Sequence, residues 1–383
     1  MNSKQQLGQF FTTNTFMILK GFAEFIVNKN LTDPFAGNGD LLNWASQNGA
    51  KSVIGYDIDK NYVDNKRVFF NDSLLNPKKY DFVLTNPPYL YQNKLQNNTI
   101  LKDSKHTDLY QLSLEKIMNS NEGIVIVPIN FLSANNSKYI REIFLSKFEI
   151  IKANYFTDQV FNDTTYNVIA FYYKKKTYIK ENIEFDFIIY PQNKHTKLKL
   201  SAKFNWQIGG DFLHKIKYTP KKINITRLEE DHLISGNLKV KAAYNHLNNV
   251  KEFNVDEATH KKITNNILML KAIDTGSRGG EICLSDIRKY GYEALVSLKT
   301  SRNQIHLIFD DNIEIKVQEE LIELFNIELK NQRDNYHSLF MTNFRDKNRK
   351  RISFKFAYDF INYLYFNKLK DSQKNDKIQP ALF

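Results

Sequence analysis

The chain has one cysteine, Cys283, in 383 residues. That excludes an internal disulfide framework and a zinc site built from thiolates. No apolar run approaches the roughly 20 residues that a membrane-spanning helix needs. The N-terminal Met1-Asn2-Ser3-Lys4 opens no apolar signal-peptide region, so a cytoplasmic protein without a membrane partner is expected. Internal repeats and low-complexity domains are missing. So are the Lys-Ser/Thr pair of a P-loop, the G-x-G-x-x-G dinucleotide fingerprint and any nuclease constellation.

What is present is a globular composition, 42% hydrophobic and 25% charged, in a chain long enough for two domains with real cores. The net charge is +12. Residues 185–383 hold 33 of the 54 Lys and Arg and 24 of the 42 acidic residues, so most of the excess lies in the second half. That distribution fits a region that meets a polyanion.

The stretch that organises the chain is Asn86-Pro87-Pro88-Tyr89. It follows the apolar run Asp81-Phe82-Val83-Leu84, read as a buried strand ending at Thr85. The two prolines cannot donate to a ladder, so they stop the strand and stiffen the turn. Asn86 and the Pro87 carbonyl are then held at a strand's C-terminal edge, where open α/β sheets bind ligands. Two fixed acceptors beside a flat ring suit one chemical task. They can hold both hydrogens of a nucleobase amine, favour a directed lone pair on its nitrogen, and stack the ring on Tyr89.

Upstream, Gly8-Gln9-Phe10-Phe11-Thr12-Thr13 precedes an apolar-periodic segment, predicted as a helix from Phe16 to Val27 with Thr12 or Thr13 as its N-cap. Asp33-Pro34-Phe35-Ala36-Gly37-Asn38-Gly39-Asp40 follows a short strand around Leu31 and leads into a helix from Leu41 to Gln47. Gly37 and Gly39 permit a tight turn and close backbone approach to a ligand. A second strand, Ser52 to Tyr56, ends at Asp57, which can accept both hydroxyls of a ribose, with Asp59 as the competing candidate. A third, Arg67 to Phe70, ends at Asn71-Asp72, where a carboxylate can accept an adenine amine. Three successive strand ends with ligand-type groups therefore lead to the tetrapeptide.

In this order the motifs resemble the S-adenosylmethionine-dependent DNA amino-methyltransferases, with G-x-F-x-T, D-P-x-x-G-x-G, acidic ends of strands two and three, and N-P-P-Y. The resemblance implies a Rossmann-like α/β methyltransferase domain with a mostly parallel, doubly wound sheet, and S-adenosyl-L-methionine as cofactor. It implies that Thr12, Asp33, Gly37 and Gly39 help enclose the methionine end, with Phe11, Pro34, Phe35, Ala36, Ile58 and Ser73 also in the cofactor site. Asp57 would bind the ribose and Asp72 the adenine, with Asn86 also beside the cofactor. Asn86, Pro87, Pro88 and Tyr89 would form the catalytic set. Only 46 residues separate Gly39 from Asn86, which leaves no room there for a recognition domain. Cofactor motifs first, catalytic motif next and a long basic region last is the order of the γ class, that of TaqI adenine methyltransferase. In that class an aromatic residue after a valine stacks on the flipped base. Phe161 in Val160-Phe161 is the candidate, with a core role as the alternative.

Asp108-Leu109-Tyr110 opens a helix to about Met118, and the family places a cofactor-pocket segment there, so Leu109 and Tyr110 are candidates for lining it. Gly123–Val127 and Tyr166–Tyr173 read as strands, and Ser137–Leu145 as a helix. His106 reads as a surface residue. The periodicity weakens near residue 185, which predicts a catalytic domain over 1–184 and an α+β DNA-recognition domain over 185–383. Within the latter, Phe309-Asp310-Asp311-Asn312 reads as a hairpin turn. Arg345, Lys347, Arg349, Lys350 and Arg351 form the densest basic cluster, expected to contact DNA ahead of a helical segment from Phe354 to Phe366. The expected activity is methylation of adenine N6 in duplex DNA by a monomer, without a metal. Any cognate restriction endonuclease would be a separate chain. Cytosine-N4, RNA and protein amides are the competing acceptors.

Overall fold

The computed structural model describes residues 12, 14–91, 99–102, 104–161, 167–274, 281–343 and 349–369. The chain divides into two compact units, one running to Gly210 with the short segment Thr342–Asn348, the other comprising Asp211–Met341 and the chain from Arg349.

The first unit is built on a nine-stranded sheet. In chain order its strands are β1 (Asn30–Asp33), β2 (Ser52–Asp57), β3 (Val68–Phe70), β4 (Phe82–Thr85), β5 (Glu122–Pro128), β6 (Phe148–Phe156), β7 (Val168–Lys175), β8 (Asn182–Tyr190) and β9 (Lys194–Ser201). Their spatial order is β3-β2-β1-β4-β5-β7-β6-β8-β9. The first five lie parallel, β7 runs antiparallel to both β5 and β6, β8 is parallel to β6, and β9 returns antiparallel. The sequence explains the centre. All four residues of β4 are buried, as are six of the seven in β5, the unbroken apolar pattern of a parallel strand covered on both faces. β1 has β2 on one side and β4 on the other. The strand order therefore reverses at β1, and the carboxyl ends of β1 and β4 border the crevice where open α/β sheets hold ligands.

Three expectations are corrected here. A boundary after residue 184 would cut β8; the sheet continues through β9, and the unit ends at Gly210. Buried Phe185, Phe187 and Ile189 alternate along β8, but Lys197, Leu198, Lys199 and Leu200 give β9 so polar an aspect that its half-buried period is obscured. The helix expected over Phe16–Val27 is a single turn, Thr15–Ile18, followed by a 3₁₀ turn at Ala23–Phe25. Gly21 adopts φ +75° between them and breaks the repeat. The hairpin expected at 309–312 is instead a turn from a strand into the 21-residue helix Ile315–Asn335.

The second unit combines helices with two small sheets. Its strands are β10 (Ile225–Arg227), β11 (Leu238–Tyr244), β12 (His246–Val255), β13 (Leu268–Lys271), β14 (Cys283–Asp286), β15 (Ala294–Val296) and β16 (Gln304–Phe309). They form a four-stranded sheet, β10-β16-β13-β14, and a three-stranded one, β12-β11-β15. Helices Ile315–Asn335 and Phe354–Leu364 cover the larger sheet through a core that includes Leu270, Leu307, Phe325 and Phe360.

Candidate active site

Asp33 is the last residue of β1 and is 1% exposed. Its Oδ1 accepts the Phe35 N–H at 3.0 Å and the Thr85 hydroxyl at 2.6 Å. Burial pushes its carboxyl up to about 7; the two donated bonds oppose the rise and the neighbouring Asp57 charge adds to it. These two bonds join the glycine turn to the end of β4, so Asp33 also positions the turn expected to enclose the methionine end.

The turn itself lies against β2. Ala36 N–H donates to the Tyr56 carbonyl at 2.9 Å, and Gly37 N–H donates to Asp57 Oδ2 at 2.8 Å. Gly37 (φ +48°) and Gly39 (φ +77°) both sit in left-handed backbone, and Gly39 directly precedes the helix Asp40–Gln47. A Cβ on Gly55 of β2 would stand 2.6 Å from the Ala36 Cβ, so that glycine is what lets the turn lie so close. Pro34 and Ala36 are buried, and Phe35 is partly so.

Asp57, at the end of β2, also accepts the Asp59 N–H on Oδ1 at 2.8 Å. Burial raises its carboxyl above the usual range, against the pull of these backbone donors. Each carboxylate oxygen has a second lone-pair site, so two fixed N–H donors orient Asp57 and leave it able to accept a diol. Asp59 instead caps a 3₁₀ turn by accepting the Asn61 N–H at 3.0 Å. Between the two candidates, the turn geometry favours Asp57. Ile58 beside it is 51% exposed. Asp72 Oδ1 holds the Leu74 and Leu75 N–H groups at 3.0 and 3.1 Å, and Ser73 is buried with its hydroxyl 3.0 Å from Asn71 Nδ2.

At the end of β4, Asn86 Nδ2 donates to Thr12 Oγ1 at 3.1 Å, and Asn86 Oδ1 receives the Tyr89 hydroxyl. The same hydroxyl lies 2.8 Å from the Ile126 carbonyl of β5. Burial holds the Tyr89 phenol well above its ordinary pKa, so it stays neutral. Pro87 is buried and Pro88 partly so. The Phe161 ring centroid is 6.5 Å from that of Tyr89 at 68°, and Tyr110 stands edge-on to Tyr89 at 6.3 Å and 90°.

The fold thus brings together Thr12, Asn86, Tyr89 and Phe161. Their arrangement differs from a ready stacking slot in two respects. Tyr89 and Phe161 meet edge to face, 2% and 1% exposed, and the Asn86 oxygen is already engaged by Tyr89. A base held between the rings requires Tyr89 to leave Asn86.

Several groups at this site gave little sign in the sequence. Thr85 looked like the polar end of a strand, and only the pairing of β1 with β4 aligns it with Asp33. Asp108 accepts the Leu90 N–H at 3.1 Å and so ties the chain after the tetrapeptide to the helix Leu109–Lys116, which it also caps; its place before a helix was the legible signal. Tyr110, expected near the cofactor, backs Tyr89 and bonds Ser137 Oγ at 2.8 Å. His106 is not on the surface: it is 2% exposed, paired with Glu115 and set against the Tyr139 ring.

Phe11, Arg345 and Lys347 lie outside the described residues. In the second unit Lys350 is 3% exposed, which corrects its assignment to a DNA-facing surface. Its N–H donates to Asp274 Oδ1 at 2.7 Å, the Arg349 Nε donates to the Asp274 carbonyl at 3.1 Å, and Arg333 pairs with Asp274 Oδ2 at 3.2 Å. Burial lowers the Lys350 ammonium to about 7 despite the Asp274 charge. The basic run turns inward here because a buried carboxylate anchors it. Arg349 and Arg351 are partly buried.

Residues 38–161 match the family model of the Eco57I restriction-modification methylase. This segment is roughly a third of the chain and holds the second glycine of the turn, the acidic ends of β2 and β3, the tetrapeptide and Phe161. Over that segment the match bears out the resemblance to DNA methyltransferases read from the motifs, at the level of a restriction-modification methylase. No curated protein matches the chain. Among solved structures, one described as a modification subunit of a type I restriction enzyme from Vibrio vulnificus YJ016 is 17% identical with a TM-score of 0.39, covering 65% of this chain and 60% of that one. The type I methyltransferase subunit from Streptococcus thermophilus is 17% identical with a TM-score of 0.34, covering 48% and 49%. The type IIG restriction endonuclease BpuSI is 14% identical with a TM-score of 0.37, covering 63% and 42%. The chain spans less than two thirds of the length of each, and likeness at this level establishes neither fold nor function.

Proposed function

We propose that this chain is an S-adenosylmethionine-dependent DNA methyltransferase of the restriction-modification type that methylates N6 of an adenine turned out of the duplex. The observation that carries the reading is Asn86, fixed at the carboxyl end of β4 between Thr12 and Tyr89, next to the strand-order reversal at β1. The match of residues 38–161 to a restriction-modification methylase family supports it.

The residues present fit the cofactor. A glycine turn in left-handed backbone lies against β2, and an oriented, buried Asp57 ends that strand. Asp57 would hold the ribose, the turn around Gly37 and Gly39 the methionine end, and Asp72 the adenine. When bound, the cofactor supplies an electrophilic methyl group. The protein's part is to prepare the acceptor. Once Tyr89 releases it, Asn86 Oδ1 takes one hydrogen of the base amine and the Pro87 carbonyl the other, which localises the nitrogen lone pair. Tyr89 and Phe161 hold the ring, and the buried surroundings exclude water. Turning the base out costs a few kcal/mol, which contacts to the DNA backbone supply.

The test is methyl transfer from radiolabelled cofactor to mixed-sequence duplex DNA, with RNA and protein as parallel acceptors and mass spectrometry of the digested product. N6-methyladenine in DNA is the expected product. N4-methylcytosine would change the base, and label only in RNA or protein would overturn the substrate.

A further inference from the structure

The ribbon formed by β11 and β12 stands at one edge of the three-stranded sheet. β11 is anchored, with Val240, Ala242 and Ala243 buried. β12 is not. From His246 to Asn254 every residue except Leu247 and Phe253 is exposed, and Val250 is 53% exposed. An edge strand of this length is ordinarily covered or blunted by charge. Here Lys251 and Glu252 supply the charge, and the other exposed positions are mostly amides. Asn245, His246, Asn248 and Asn249 cluster at the tip, and Lys251 and Asn254 follow along β12. Lys239 and Lys241 lie on β11, so the ribbon has three lysines against the single acid Glu252.

The tip has a defined shape. Ala243 pairs with Val250 and Tyr244 with His246, so residues 247–249 bulge out of the ladder, and Asn245 takes φ +61°. Asn249 Nδ2 bonds the Tyr244 carbonyl at 3.2 Å and secures the bulge. Lys251 Nζ lies 4.5 Å from the Tyr244 ring centroid and 4.7 Å from that of Phe253, and pairs with Glu230 at 3.1 Å. That exposed ion pair is weak enough for a phosphate to replace.

We propose that this ribbon is the element of the second unit that reads bases in the major groove of duplex DNA, an inference that rests on the reading of the chain as a DNA methyltransferase. The groove, about 12 Å wide, admits a two-stranded ribbon. An asparagine amide can pair with the N6 and N7 edge of adenine, a histidine can donate or accept, and flanking lysines can meet phosphates. The inward turn of Lys350 removes that lysine from the task. A strand added to the edge by another protein would take its affinity from main-chain hydrogen bonds and its specificity from pockets for alternate side chains. Along the exposed part of β12, Val250 is the lone strongly exposed apolar side chain.

The test uses the full chain with His246→Ala/Asn248→Ala and, separately, Lys251→Ala. It reads the sequence profile of methylated sites, DNA affinity by fluorescence anisotropy, cofactor affinity by calorimetry, and oligomeric state. The double variant is expected to lose about tenfold or more in discrimination between its site and other sequences, with cofactor affinity and melting temperature unchanged. Lys251→Ala is expected to weaken binding to all sequences about threefold to tenfold and to reduce the salt slope by about one. An unchanged site and affinity in both variants overturns the proposal. So does a change in self-association with DNA binding intact, which would make the ribbon a contact between copies. If the wild-type chain labels RNA or protein and not DNA, the methyltransferase reading for DNA fails first, on the unmodified protein, and the ribbon inference falls with it.

Discussion

Thr85 and Asp33 end neighbouring strands, and the Thr85 hydroxyl donates to the Asp33 carboxylate across 2.6 Å in a fully buried setting. Thr85 immediately precedes Asn86, and Asp33 begins the glycine turn. The bond therefore links the strand end that leads to the group proposed to hold the base with the turn proposed to hold the cofactor.

That coupling has a pH signature. The Asp33 carboxyl is pushed up to about 7 from an ordinary 3.8. Between those values the folded chain binds a proton that the unfolded chain has lost, so this group makes stability fall as pH rises from about 4 to about 7 and leaves it level above. The cost of ionising it is at most about 4 kcal/mol. Asp33→Asn keeps an acceptor for Thr85 and Phe35 without the charge. Its melting temperature minus that of the wild type is expected to grow across this window and then flatten; a constant difference from pH 4 to 8 would show that Asp33 does not titrate there.

The strands that lead to Asp57, Asp72 and Asn86 were legible because each is a short, mostly apolar run followed by a polar residue. β6 was missed and β9 obscured for opposite reasons. β6 mixes buried Ile150, Ala153 and Tyr155 with an exposed Ile151, and a register shift against β7 between Ile150 and Lys152 breaks its alternation. β9 alternates properly, but lysines dominate its composition. Burial of Lys350 was illegible in principle, since it depends on Asp274, which lies 76 residues away in sequence. The same holds for His106, whose cover comes from Tyr139 and Glu115.

Asn86→Ala is expected to lower methyl transfer by about a hundredfold to a thousandfold, the scale for removing one oriented polar group from a transition state. Cofactor affinity should survive, since the groups proposed to bind the ribose and adenine lie at the ends of β2 and β3. Single-turnover rates beside calorimetric titration separate the two effects, and a variant with wild-type turnover would remove Asn86 from its assigned role.

Asp57→Ala should act in the opposite way. Removing the carboxylate strips the acceptor from the Gly37 and Asp59 N–H groups as well as the proposed ribose contact. Cofactor affinity is expected to fall by about tenfold or more, in line with about 1.5–3 kcal/mol for bonds to a charged group. An unchanged dissociation constant would shift the ribose role to Asp59.

Arg141 is among the largest fully buried side chains of the described residues. Its Nε donates to the Asn205 carbonyl at 2.8 Å, and Nη1 donates to the Phe131 and Ala134 carbonyls at 2.9 and 3.0 Å. Nη2 has no hydrogen-bond partner among the described residues. Burial lowers its pKa to about 10, which still leaves it charged near neutral pH. Arg141→Met would leave three carbonyls unpaired while relieving the desolvated charge, for an expected net loss of about 2–4 kcal/mol in urea unfolding. A neutral result would mean that water satisfies those carbonyls as well as the guanidinium does.

Tyr89 separates hydrogen bonding from stacking. In this structure its hydroxyl engages Asn86 and the Ile126 carbonyl while its ring meets Phe161 edge to face. In the proposed reaction, base entry breaks those polar contacts and Tyr89 offers its ring face in return. Tyr89→Phe removes the contacts that must break and keeps the ring, so methyl transfer should stay within about tenfold of the wild type. Tyr89→Ala removes the ring, and at about 1–3 kcal/mol per stacked base transfer should fall by roughly tenfold to a hundredfold. If the two variants were equally impaired, the hydroxyl rather than the ring would be what the site needs, and Tyr89 would have to act through its bond to Asn86.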